Sequence, residues 1–475
     1  MKRHRLIVFL LLGLIGFPSA TSFAQEAGGK GTSLSKVVRL NRAPVNKEVL
    51  RVKLPRPREL KLANGLTVLV LERHKLPTVA FSLWIKAGAL ADPKDLPGLA
   101  KATAEMLREG TTHRSSEQLA TEIDSLGASL GGSAEFGEGV STVSAAGLAD
   151  SSDRILDLMS DVVLNPTFPA GELEIYRKRQ LADLEQERSD PDFLARERFY
   201  RVLYRDFPAA VVSATPESMK AMTPQELKEF HDRYYLPNNA ILGVVGDVQF
   251  DEIVPLIQKY FGGWERKPVD QPALAKLPPP EPFKITLVNR PNSVQTNILA
   301  GDYAVRRPDP DYIPLVVMNR IVGGSASSRL FLNLRENKGY TYGAYSYFTA
   351  EEYPGAWMAQ TEVRNAVTDG SMHELMAEFK RIRDEKVAEE ELDEARRSIV
   401  ARFALSLEQP STLLNAWLTV DYYNLPEDYW DRYPEQVHDV DAGAIQRAAL
   451  KYVDMDHLQF VCVGDGKQIE DVLKK

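Results

Sequence analysis

Gly98-Leu-Ala-Lys-Ala-Thr-Ala-Glu-Met-Leu-Arg-Glu-Gly-Thr111 is the stretch that decides the fold. Leu99, Ala102, Met106 and Leu107 recur at helical spacing, and the charges fall opposite them. Gly98 precedes the run and Gly110 follows it, the punctuation of a short buried helix. On this pattern alone the stretch is an amphipathic core helix.

Upstream, Leu60 and Leu62 and then Leu66–Leu71 read as a hairpin around Asn64-Gly65, and Val79–Ala87 as a second apolar strand. Downstream, Ser115-x-x-Gln118 has the form of a capping box for a helix reaching Leu126. Gly127, Gly131, Gly132, Gly137 and Gly139 then flank two short strands. Arg154–Leu164 is a helix that Pro166 ends, and Glu172–Arg188 is a long charged one. Thr223-Pro-Gln-Glu226 starts another, ahead of the apolar strand that closes on Gly246-Asp247.

From Arg266 to Pro282 six prolines make an extended, semi-rigid linker. Beyond it the order returns. Lys451–Asp465 echoes the segment ending at Asp247, 218 residues earlier, and Glu391-Leu392-Asp393 echoes Glu172-Leu173-Glu174 at an offset of 219. Two landmarks at nearly one offset indicate a duplicated α+β domain, with mostly antiparallel sheets packed by helices. The expected boundaries are 51–265 and 284–475, joined by the linker 266–283.

The chain has 475 residues, 44% hydrophobic and 26% charged, with a net charge of −8. No basic stripe with interleaved aromatics appears, so nucleic acid is not an expected partner. Cys462, the single cysteine, lies in an apolar run and reads as a small buried hydrophobe. Lys2, Arg3 and Arg5 precede the apolar run Leu6–Phe17, and Ser22-Phe23-Ala24 offers a signal-peptidase site. The run is too short for a comfortable membrane span, and no cysteine follows to carry a lipid, so no stable membrane anchor is expected. The reading is an export signal over 1–24, a flexible lead-in over 25–50 and a periplasmic protein.

The second half carries Gly323-Gly-Ser-Ala-Ser-Ser-Arg-Leu-Phe-Leu-Asn-Leu-Arg-Glu-Asn-Lys-Gly-Tyr-Thr-Tyr342. Ile321-Val322 ahead of the glycine pair indicates a tight helix–helix turn, and no Walker-type lysine follows, which argues against a nucleotide. This stretch is similar to the glycine-rich turn, Ser-Arg-Leu helix and Arg-x6-Tyr pair of the insulinase/pitrilysin-type zinc peptidases. The frame around Gly98–Thr111 resembles that family's zinc-site helix. The resemblance covers residues 55–475 and implies two homologous domains facing across a cavity, half of a clamshell.

In active members the resemblance places His-x-x-Glu-His where this chain has Lys101, Ala102, Thr103, Ala104 and Glu105. Both imidazoles and the general base are missing. A lysine ammonium has three donors and no lone pair, so it opposes a metal. The third ligand of the family, a glutamate on the long helix after Asn165–Pro169, falls on Asp183. The seven histidines include no pair at helical ligand spacing. Lys101 is expected to stand where zinc would, balanced by Glu105 and Asp183, with no metal bound by this chain.

By the same resemblance Arg335 and Tyr342 match a substrate-clamping pair; a guanidinium and a phenol can both donate to a peptide carbonyl. A lone arginine and tyrosine would ordinarily be a surface ion-pair residue and a half-buried aromatic, and Tyr340 competes if the register slips. The twenty-residue frame favours the clamp. The implied function is a non-catalytic subunit of an exported heterodimeric peptidase, whose zinc sits in a homologous partner subunit and whose substrates are peptides. The alternatives are a stand-alone peptide-binding protein and a structural subunit of a larger assembly.

Overall fold

Alternation of buried and open residues along Thr78–Ile85 gives the first sheet its two faces, and the wholly buried run Ala240–Gly246 shows that both faces are covered at its centre. The computed structural model describes residues 48–270 and 274–474; the expected export signal over 1–24 and nearly all of the expected lead-in lie outside the described residues. The first sheet holds β1 (Arg58–Lys61), β2 (Thr67–Glu72), β3 (Thr78–Ile85), β4 (Ser129–Ala134), β5 (Ser141–Leu148) and β6 (Ala240–Gly246), in the order β1-β2-β6-β3-β5-β4. The second holds β7 (Lys284–Asn289), β8 (Gln295–Tyr303), β9 (Ala344–Phe348), β10 (Ala356–Arg364) and β11 (Gln459–Gly464), in the order β7-β11-β8-β10-β9. In each sheet one pair is parallel, β2 with β6 and β7 with β11; the remaining pairs are antiparallel.

The helices of the first half are α1 (Leu99–Met106), α2 (Ser116–Ser125), α3 (Ser152–Leu164), α4 (Ala170–Glu187), α5 (Pro191–Tyr204), α6 (Pro216–Ala221), α7 (Pro224–Tyr234) and α8 (Phe250–Phe261). Those of the second are α9 (Tyr312–Val322), α10 (Arg329–Phe331), α11 (Thr368–Asp384), α12 (Glu389–Ser406), α13 (Pro410–Tyr422), α14 (Tyr429–His438), α15 (Ala442–Tyr452) and α16 (Gly466–Leu473). The Ser115 capping box forms, its hydroxyl accepting from the Gln118 amide while the Gln118 side chain accepts from the Ser115 amide. The Thr223 box forms in the same way. The duplication is geometric: α4 and α12 are both 18 residues long, and β6 and β11 are the fully buried strands that run parallel to a neighbour.

One face of the first sheet packs Val68, Phe81 and Val244 against α1, α3, α7 and α8. Its other face, with Leu69, Leu71, Ile241 and Val245, is covered by Leu413, Leu414, Trp417 and Leu418 of α13, a helix from the second half. The second sheet shows the reciprocal arrangement. Ile298, Phe460 and Cys462 face helices of their own half, whereas Leu299, Met358, Val461 and Val463 lie under Phe199 and Leu203 of α5. Each half therefore lends one helix to the other. At about 1.5–3 kcal/mol per fully buried large apolar side chain, detaching either helix would cost several kcal/mol.

Hydrogen bonds fasten the same seam: Tyr353 donates to the Gly137 carbonyl at 2.7 Å, Tyr303 to that of Leu203 at 2.7 Å, and Trp417 to that of Pro55 at 3.0 Å. The contiguous segments 51–265 and 284–475 thus each supply a sheet, but neither supplies all of that sheet's cover. The thiol of Cys462 is buried, and that burial pushes its pKa up to about 12.

Candidate functional site

α1 begins at Gly98, which takes the left-handed φ of 93°. Its first amides are held by the half-buried carboxylate of Asp92, which accepts from the Gly98 amide at 2.7 Å and the Ala100 amide at 2.8 Å. Burial pushes that carboxyl up to about 7, against the pull of those hydrogen bonds. Leu99, Ala100, Ala102, Thr103, Ala104 and Met106 are buried, which leaves Lys101 and Glu105 as the partly open positions one turn apart. β4 presses close behind: a Cβ on Gly132 would lie 2.2 Å from the Ala104 carbonyl oxygen. Gly132 lets the sheet edge approach the helix.

The Lys101 ammonium lies 2.9 Å from the Glu105 carboxylate. Burial works against its charge, but Glu105, with Glu135 and Glu187 beyond it, outweighs that and holds Lys101 above the usual lysine range. Asp183 takes no part. It is exposed on α4, and among the described residues its carboxylate forms no hydrogen bond or ion pair. The expected Lys101–Asp183 balance is therefore corrected: the α4 acid whose charge reaches Lys101 is Glu187, one turn further along. Tyr176, also on α4, buries its hydroxyl without a hydrogen-bond partner; burial and the Glu105 charge beside it keep the phenol protonated.

These residues do not fit a zinc ion. A cationic Lys101 Nζ on Glu105 occupies the first and last ligand positions, Ala104 is apolar and buried, and Asp183 faces solvent. Among the described residues no group of three or more His, Cys, Asp or Glu side chains is arranged to hold a metal.

The second-half signature folds as a turn and a helix with a π-helical turn. α9 ends at Val322, and a Cβ on Gly323 would lie 2.2 Å from the Ser346 amide, so this turn sits directly against β9. α10 continues as a π-helical turn over Leu332–Asn337, an uncommon conformation that recurs at functional sites. Buried Arg329 anchors it through a bidentate pair with the partly exposed Glu391 of α12, at 2.8 and 2.7 Å. Arg335 rides on the π turn, its guanidinium over the Phe331 ring at 4.8 Å and donating to the Tyr342 carbonyl at 2.9 Å. Tyr342 is 89% exposed, while Tyr340 packs against the core of the second half. The structure thus brings Arg335 and Tyr342 together. It places them and the Lys101–Glu105 pair in different halves, and among the described residues no hydrogen bond or ion pair joins the two groups.

Residues 67–217 match the family model described as Insulinase (Peptidase family M16), and residues 221–399 match that described as Peptidase M16 inactive domain. The chain belongs to the M16 peptidase family. Among its M16 relatives is an uncharacterized zinc protease of Bacillus subtilis, 22% identical over 360 residues, which span 74% of this chain and 85% of the relative. An uncharacterized zinc protease of Rickettsia felis is 26% identical over 356 residues, 74% of this chain and 83% of that one. The crystal structure of a peptidase M16 inactive domain from Pseudomonas fluorescens superposes with a TM-score of 0.80 at 26% identity, covering 86% of this chain and 97% of that one. A protease from Helicobacter pylori shares the fold, with a TM-score of 0.79 at 20% identity over 86% of this chain and 100% of that one.

Within this M16 chain several residues escaped the sequence reading. Asp92 caps α1 from six residues before Gly98, too far for any capping pattern. Glu135 and Glu187 act on Lys101 from a loop and from a helix end. Glu391 was visible only as a repeat landmark, and nothing in its spacing tied it to Arg329.

Proposed function

We propose that this chain is the non-catalytic, substrate-clamping subunit of an exported heterodimeric zinc peptidase. The observation that carries the reading is the contrast between its two motifs. A Lys101–Glu105 ion pair fills the degenerate ligand positions, while Arg335 and Tyr342 stay joined and open to solvent. Relatives named zinc proteases supply the reaction class. A homologous partner would hold the zinc and its water. This chain would contribute the Arg335 guanidinium and the Tyr342 phenol as donors to the peptide carbonyl and to the negative charge that develops on it.

Co-expression with a homologue that retains His-x-x-Glu-His tests this. The mixed complex is expected to cleave a peptide library that neither chain cleaves well alone, with zinc only in the partner. Full activity from the zinc-bearing chain by itself would leave this chain as a stand-alone peptide-binding or structural protein.

A further inference from the structure

A cavity of about 460 Å³ opens in the seam between the halves, and nothing in the clamp reading uses it. Its walls are aromatic: Trp84 of β3, Tyr312 of α9, and Tyr422 and Tyr423 at the end of α13. Trp84 meets Tyr422 edge-on at 5.9 Å, and Tyr422 meets Tyr423 at 4.8 Å. Two carboxylates enter it, Glu138 from the β4–β5 loop and Glu351 from the β9–β10 loop. Glu351 accepts from the Tyr423 hydroxyl at 2.8 Å, and Glu352 stands beside it in sequence. Among the described residues none of the three acids forms an ion pair.

The nearby cation is already engaged. Arg307 is buried, donates to the Tyr429 hydroxyl at 2.7 Å and lies over the rings of Tyr312 at 4.0 Å and Tyr429 at 4.9 Å. Its amide donates to the Glu351 carbonyl at 2.8 Å, so the lining already holds one guanidinium on ring faces beside Glu351, and against that single cation it carries two carboxylates, Glu138 and Glu351. An apolar occupant would bury them unpaired, whereas a cation gains both the ring quadrupoles and the carboxylates.

We infer that this seam cavity binds the cationic side chain, arginine or lysine, of a peptide. The inference deepens the peptide-binding reading and rests on it only for the molecule that carries the cation. Burial, with the charges of Glu138 and Glu352, raises the Glu351 carboxyl to about 7 while Arg307 pulls it down. Binding then strengthens as the pH rises from 6 to 8 and Glu351 ionises.

Calorimetric titration of the full chain, without any partner, tests it. The ligands are an acetylated, amidated glycine peptide with one central arginine, its lysine and citrulline counterparts, and agmatine as a guanidinium without a peptide. The arginine and lysine peptides are expected to bind about tenfold or more tightly than the citrulline peptide, the scale of a desolvated cation on rings and a carboxylate. Glu351→Gln should remove about that factor. Thr142→Lys, which tethers an ammonium in the cavity, should abolish binding, and circular dichroism confirms that both variants are folded. Equal binding of arginine and citrulline peptides, or unchanged affinity in both variants, would overturn the site. Agmatine binding as tightly as the peptide would overturn its assignment to a peptide side chain. Because no cleavage is measured, failure of the heterodimer reading leaves this result standing.

Discussion

The two halves are built on one plan and differ in what they leave open. In the first half, α1 sits against the edge strand β4, Gly132 permits the approach, and the open positions Lys101 and Glu105 neutralise each other. In the second, the turn at Gly323 sits against the edge strand β9, and the open groups are an exposed arginine, which donates to the Tyr342 carbonyl and pairs with Glu336 at 3.4 Å, and an exposed phenol. Backbone-to-backbone closeness is kept in both. Helix, strand edge and glycine are requirements of packing, so they persist where the side chains that face solvent have changed their chemistry. A degenerate site can thus keep its full scaffold, since the scaffold's stability never depended on the lost ligands.

The sharpest way to break this comparison is to remove the open donor. Arg335→Ala in the mixed complex is expected to lower turnover by about 10²–10³, the usual loss for one donor to a developing oxyanion. The melting temperature of this chain should not change, because Arg335 is exposed. A complex as fast as wild type in steady-state kinetics would remove the contrast between the halves.

Next in size is the shared scaffold. Gly132→Ala and Gly323→Ala each push a methyl to within 2.2 Å of backbone, so each should cost about 1–3 kcal/mol in denaturant unfolding. A cost at one glycine and not the other would show that the two edges are not equivalent.

Each half also holds an aspartate whose carboxyl is raised to about 7, the half-buried Asp92 in the first and the buried Asp302 in the second, in both cases chiefly by desolvation. A raised carboxyl binds its proton more tightly folded than unfolded, so stability falls as the pH rises from about 4 towards 7. One such group gives a slope of at most about 1.4 kcal/mol per pH unit. Asp92→Asn and Asp302→Asn should each flatten the decline, as read by thermal melts across that range.

The smallest effect belongs to the neutral pair. Lys101→Ala is expected to change stability by less than about 1 kcal/mol, as a partly exposed ion pair does. Denaturant unfolding of the variant checks it, and a loss of several kcal/mol would show that the pair holds the helix in place.

Much of the fold was legible because it rests on local signals. Asn64-Gly65, the Ser115 and Thr223 caps and the repeat offset each fix an element or its partner, and each reappears in the structure. The exchange of α5 and α13 was not legible, since an amphipathic pattern shows that a face is buried but not which sheet buries it. The site was legible as two motifs and illegible in its surroundings. Asp183 and Glu187 differ by one helical turn on a charged helix, and no pattern distinguishes them; only in the folded chain does the Glu187 charge act on Lys101. The acids of the seam come from loops of opposite halves, which no spacing relates.

The exchanged helices also set an order on synthesis. Leu69, Leu71, Ile241 and Val245 are complete early in the chain, but their cover begins only at Leu413. Until then the outer face of the first sheet is a bare apolar surface, and the half that carries it cannot finish folding as it emerges. A chain so arranged reaches its native state only when nearly all of it is present at once. Any truncation before α13 is therefore a route to aggregation.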